Sequence, residues 1–283
     1  MGVIKRFVRG VLPEPARCAI RPIYRRFFPL REDGNVRIAR IGGFHIAHRG
    51  GVDKDVLAYS FARDLFFRGV PEYRPAPDHV IIDVGAHIGT FSLLAASRVP
   101  RGRVYAIEAC ERSYDLCRIN ALLNRADNLD VSHLALADRA GSCVLYHESG
   151  SCGHSIVDSH EGLGERVRSL TLAGFLESKA IRRCHFLKMN CEGAEFPILL
   201  STPVDVLRRI EVMVVLYHCD KFRGATEEAL VSHLKDAGFE TTLRNKTGKR
   251  GWIVASSRSA QAPAPGVAAP NRTANKSAAC ARP

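Results

Sequence analysis

The chain has 283 residues, 46% of them hydrophobic and 25% charged, which are the proportions of an ordinary globular protein. Collagen-like, disordered and disulfide-scaffold classes are thereby excluded for its body, and the longest uncharged run, 84–97, is shorter than the roughly 20 apolar residues of a spanning helix. The net charge of +12 is concentrated at the ends, so the body lacks the basic stripe of a nucleic-acid enzyme and no nucleic-acid partner is expected.

Residues 1–40 carry ten Lys or Arg against Glu14, Glu32 and Asp33. Within them Ile4, Phe7, Val8 and Val11 fall at helical spacing opposite Lys5, Arg6 and Arg9, until Pro13 and Pro15 end the pattern. A second cluster, Ile23, Tyr24, Phe27 and Phe28, sits among Arg21, Arg25 and Arg26. Such a basic amphipathic arm can lie on an anionic membrane surface or pack on its own domain. Arg9 interrupts what would be the apolar region of a signal peptide. Nine cysteines, without a CxxC pair, read as buried apolar residues of a protein in a reducing cytoplasm rather than as a zinc site.

Residues 36–48 read as a short strand pair broken at Gly42-Gly43, and 53–68 as a helix with Val56, Leu57, Ser60, Phe61 and Leu65 on one side. The arm is expected to span 1–40, and an extension, 41–78, to pack on the core. From His79 the pattern is regular. Val80-Ile81-Ile82 lacks alternation, as in a strand covered on both faces. A glycine turn, a helix over 91–96, a strand over 103–107 and a helix over 112–123 follow. Further strands are predicted over 131–136 and 143–147, a helix over 172–179, a strand over 185–189 and a helix over 194–200. A strand over 212–217, a helix over 227–237 and a closing hairpin, 239–243 with 252–255, complete the domain 79–258. Strand alternating with helix implies right-handed crossovers and a mostly parallel sheet in a three-layer α/β fold. The Pro/Ala-rich tail 259–283 is expected to be disordered.

Asp83-Val-Gly85-Ala-His87-Ile-Gly89 follows a buried strand and opens a helix, the setting in which a glycine turn brings backbone against a ligand. Nineteen residues beyond Gly89, Glu108 ends the second strand, where a carboxylate can accept from two ribose hydroxyls. Together they point to an adenosine-containing cofactor. A dinucleotide would need glycine at the second fingerprint position to admit its pyrophosphate. His87 stands there, so S-adenosylmethionine fits better than NAD.

This turn, Ile107-Glu108-Ala109, Asn120 and Asn124, Ala135-Leu-Ala-Asp138 with Gly141, and Lys188-Met-Asn190-Cys-Glu192-Gly-Ala-Glu195 resemble the FkbM-type methyltransferases over about 79–217. The resemblance implies a class I, Rossmann-like fold with a seven-stranded, mostly parallel sheet and an antiparallel last strand. It also implies S-adenosylmethionine as cofactor and methyl transfer to oxygen on a sugar, glycan or natural-product acceptor. Carried over, Asp83, Gly85, His87 and Gly89 would cradle the methionine end, Glu108 the ribose, and Asp138 would lie near the adenine. Lys188, Asn190, Glu192, Glu195 and His218 form the catalytic side. His218 is the candidate base with Glu192 as alternative, and Lys188 is expected to pair with Glu192 or Glu195. His154 is a further candidate for the acceptor side.

The family usually has Asn at His87, Asp at Asn190, and often Glu in the strand that here reads Val215-Leu216-Tyr217-His218. Without those two carboxylates no metal ligand is assigned. The other reading is a degenerate scaffold that binds the cofactor without turnover.

Overall fold

A computed structural model describes residues 36–146, 155–156 and 164–257. The amphipathic segments of the basic arm, His154 and the tail lie outside them. The chain opens with an antiparallel hairpin, β1 (Arg37–Ile41) and β2 (Phe44–His48), followed by the short helices α1 (Lys54–Leu57) and α2 (Leu65–Arg68). Then come β3 (Val80–Val84), α3 (Thr90–Arg98), β4 (Arg103–Glu108), α4 (Glu111–Leu123) and β5 (Leu129–His133). An added small sheet holds β6 (Ala135–Leu136), β7 (Gly141–Tyr146) and β8 (Gly164–Leu170). The remainder is α5 (Leu172–Ser178), β9 (Cys184–Met189), α6 (Glu195–Ser201), α7 (Val204–Leu207), β10 (Ile210–His218), α8 (Glu227–Asp236), β11 (Phe239–Thr247) and β12 (Arg250–Ser257).

The main sheet has seven strands in the order β11-β12-β10-β9-β3-β4-β5. β10, β9, β3, β4 and β5 run parallel, and β12 lies antiparallel to both β10 and β11. Two-residue alternation sends Ile82, Val84, Leu187 and Met189 to one face, against Phe175, Phe196 and Leu230 of α5, α6 and α8. Ile81, Val104, Phe186 and Val214 face the other way, against Phe91 of α3, Leu116 of α4 and Phe66 of α2. Both faces are covered, which is why these strands read as continuous apolar runs. The strand order reverses direction between β3 and β9, and ligands of open α/β sheets bind beyond the carboxyl ends of the strands at such a point.

Four expectations are revised. The strand read over 131–136 is divided at Leu134 between two sheets: β5 ends level with Glu108, and the Leu134 N–H donates to the Glu108 carbonyl as the chain turns away. β8 has no counterpart among the predicted elements; its alternating burial at Val167 and Ser169 is a strand signal diluted by Glu165, Arg166 and Arg168. The helix read over 53–68 is broken, with a π-helical turn over Ala58–Ala62 and left-handed backbone at Asp64 (φ 47°). A boundary at residue 40 falls inside β1, because that strand pairs with β2 along its whole length. Among the described residues no helix is long and apolar enough to cross a membrane.

Candidate active site

A cavity of about 610 Å³ opens at the carboxyl ends of β3, β4, β9 and β10. The glycine turn forms one wall. As β3 ends, the N–H groups of Gly85 and Ala86 both donate to the Ile107 carbonyl at 3.0 Å. Gly85 has φ 73°, and a Cβ there would sit 2.0 Å from the Asn190 carbonyl oxygen, so only glycine lets β3 turn this close to β9. Gly89 (φ 79°) precedes α3, and a Cβ on it would strike Cys117 Sγ of α4 at 2.4 Å. His87 between them is also left-handed (φ 54°), a region that Asn, Asp and His enter more readily than other non-glycine residues.

Glu108, buried at the end of β4, lines the cavity with both oxygens anchored. Oε2 accepts the His87 N–H at 2.7 Å and Oε1 the Cys110 N–H at 2.8 Å. Burial pushes its carboxyl above the usual range, against the pull of these two donors and of Lys188. Ile107, Ala109, Leu134 and Leu136 supply apolar wall beside it.

Asp83 and Lys188 correct the expected pairing. Lys188 Nζ donates to Asp83 Oδ1 at 2.8 Å and to the Gly85 carbonyl at 2.9 Å, and not to Glu192 or Glu195. The cause is register: Asp83 and Lys188 are direct partners across parallel β3 and β9, so their side chains share a face. Ser92 Oγ donates to Asp83 Oδ2 at 2.6 Å. Asp83 is fully buried and engaged beneath the cavity, whereas Lys188 reaches its floor.

The opposite wall holds His218 at the end of β10, with Asn190, Cys191 and Glu192 of the loop after β9. Glu195, fully buried in the first turn of α6, stands behind His218. Its Oε1 accepts the His218 backbone N–H at 2.6 Å and contacts Nδ1 at 2.9 Å, while Oε2 accepts the Gly193 N–H at 3.0 Å. A carboxylate oxygen accepts here, so Nδ1 carries the hydrogen, and in the neutral ring Nε2 holds the lone pair. Nε2 lies 3.7 Å from Glu192 Oε1. Burial works to lower the His218 pKa, but the Glu195 hydrogen bond and the charges of Glu195 and Glu192 outweigh it and hold it above the ordinary value. Burial raises Glu192 as well, against the opposing effect of His218 and Arg250. Asn190 Oδ1 is buried without a hydrogen-bond partner among the described residues.

Asp138 is exposed in the bend after β6 and does not line the cavity; Leu134, Ala135 and Leu136 do. Reasoning from sequence passed over the roof, in which Asp55, Tyr59, Ser60 and Phe66 come from the segment before β3. It also passed over Arg49 and Asp53, which contact His87. Asp55, Tyr59 and Phe66 could be read only as residues of an amphipathic helix, a pattern that carries no sign of what its ends touch.

Residues 83–241, more than half of the chain, match the methyltransferase FkbM domain. The chain belongs to the FkbM family, whose class is that of the methyltransferases. It is 28% identical over 210 residues to the AMB antimetabolite synthetase AmbE of Pseudomonas aeruginosa, a match covering 59% of this chain but only 10% of that protein. It is 22% identical over 203 residues to Methyltransferase 1 of Beauveria bassiana, covering 64% of this chain and 80% of that one. Among solved structures, the N-terminal domain of EvdMO1 with SAH bound superimposes with a TM-score of 0.47 at 16% identity, over 84% of this chain and 97% of that one.

Proposed function

We propose that the chain methylates a hydroxyl of a small acceptor, a sugar, glycan or natural product, with His218 as the base that takes the hydroxyl proton. The observation that carries this reading is the Glu195–His218 couple, 2.9 Å apart, in the same cavity as the glycine turn and Glu108.

The residues present fit the cofactor. Each Glu108 oxygen has one backbone donor and a lone pair to spare for a ribose hydroxyl. The Gly85 turn exposes backbone, Leu134 and Leu136 offer an apolar surface for a base, and Asn190 Oδ1 is an open acceptor for a ligand donor. When bound, S-adenosylmethionine supplies a methyl group on a positively charged sulfur, which an oxygen nucleophile displaces.

The protein's part is positioning and proton removal. Glu195 fixes the His218 ring and its tautomer, leaving Nε2 to receive the proton. The imidazolium that results is held between Glu195 and Glu192. With Asn at 190 and Leu at 216, His218 and Glu192 are the groups on this wall able to take the proton, and His218 is the one with a buried carboxylate behind its ring.

The test follows release of S-adenosylhomocysteine across a panel of hydroxyl acceptors. With any acceptor that supports turnover, His218→Gln should lower the rate by about 10²–10⁴ while retaining cofactor affinity. A His218→Gln protein of undiminished rate would overturn the assignment. Cofactor binding with no turnover across the panel would favour the scaffold alternative.

A further inference from the structure

Arg49 leaves β2 and ties a knot with the buried Asp53 four residues on. Its backbone N–H donates to Asp53 Oδ2 at 2.6 Å and its Nη2 to Asp53 Oδ1 at 2.8 Å. The same Nη2 meets His87 Nε2 at 2.8 Å and Ser113 Oγ of α4 at 3.2 Å. A guanidinium stays protonated and cannot accept, so His87 Nε2 is the acceptor in this contact and the imidazole is neutral. His87 is the left-handed residue of the glycine turn, and its N–H holds Glu108 Oε2 at 2.7 Å. A chain of contacts therefore runs from Asp53 through Arg49 and His87 to Glu108. Its first two members lie outside the matched family domain, 83–241.

We propose that Arg49, held by Asp53, is a positioning residue for the cofactor: by gripping His87 it sets the turn whose N–H aims Glu108 at the ribose. The direct contact makes Arg49 and His87 a pair, and the extension before β3 part of the cofactor site. The inference rests on the reading of Glu108 as the ribose carboxylate.

The experiment titrates S-adenosylhomocysteine into the full chain by calorimetry, for wild type, Glu108→Ala, Arg49→Met, His87→Asn and the double variant, with thermal unfolding of each in parallel. Arg49→Met and His87→Asn should each weaken binding about tenfold, and the double variant no more than the weaker single, because they break one contact. Arg49→Lys should not rescue, since an ammonium lacks the planar fork by which Nε and Nη2 of Arg49 hold the Asp53 carboxylate while Nη2 meets His87. Should Arg49→Met fail to fold, His87→Asn still decides, as Asn tolerates the left-handed backbone. Unchanged affinity with lowered thermal stability would reduce the knot to a structural one and overturn the inference, as would additive losses. If wild type binds and Glu108→Ala binds equally well, the ribose reading itself falls, and this outcome is distinct from failure at Arg49.

Discussion

Burial by itself would hold the His218 imidazole below its ordinary range, and Glu195 and Glu192 reverse the sign. A base must be neutral to act, so the rate should rise with pH through an apparent pKa above about 6.5. In Glu195→Gln that limb should move to lower pH, as read from kcat/KM against pH or from the imidazole resonance in NMR. The same shift bears on stability. A histidine whose pKa is raised by folding contributes stability that is complete below about pH 6.5 and is lost as pH rises through its folded value. Gly85 is decided by sterics instead: Gly85→Ala combines a φ of 73° with a Cβ placed 2.0 Å from the Asn190 carbonyl oxygen. It should cost at least about 2 kcal/mol in denaturant unfolding. Gly85, Gly89 and Glu108 were legible because each ends or begins an element visible in the local pattern. Asp138 was not, since nothing local to it reports that the chain turns it outward at the bend after β6.

At the scale of elements, two asparagines, Asn120 of α4 and Asn124 at its C-terminal cap, replace a missing strand. Asn120 Oδ1 accepts the Ala47 N–H at 2.7 Å, and its Nδ2 donates to the carbonyls of Ala47 and Ile88 at 3.1 and 2.8 Å. Asn124 does the same for His45, at 2.8 Å in both directions. These carboxamides pair the edge of β2 as a backbone would, and Asn120→Leu should cost about 2–4 kcal/mol by leaving buried groups unmatched. Faster hydrogen exchange at the Ala47 amide would report the loosened hairpin. At the far end of β3 and β9, His79 and His185 stack at 4.1 Å. The Ala76 and Val80 N–H groups donate to their respective Nδ1 atoms, so protonating either ring breaks a backbone bond. Burial lowers both pKa values, with His185 adding to the effect on His79 and Glu211 opposing it at His185. The sign is opposite to that of His218: this stability is present above about pH 6.5 and is lost as pH falls. The melting temperature should therefore drop on mild acidification, and less steeply in His185→Gln. Sequence showed each strand start but not the stacking, which needs β3 and β9 to be neighbours although 105 residues separate Val80 from His185.

For the molecule as a whole, the segment before β3 belongs to the same core as the domain that carries the family match. Ile46, Ala47, Phe66, Val70 and Tyr73 are buried with Phe91, Leu116 and Phe186, and Phe66 stacks on Trp252 of β12 at 5.5 Å. A chain starting at residue 79 would expose that face and is expected to unfold at markedly lower temperature in scanning calorimetry. The sequence by itself determined the alternation of strands and helices, the glycine turn, the ribose carboxylate candidate and the closing hairpin. Each is written in residues adjacent along the chain, where periodicity and turn chemistry act. Only the tertiary structure decided that Lys188 pairs with Asp83, that Glu195 stands behind His218, and that Arg49 reaches His87. Those contacts depend on strand register and on which helix covers which strand end, and both are settled by packing the whole core rather than by any local run of residues.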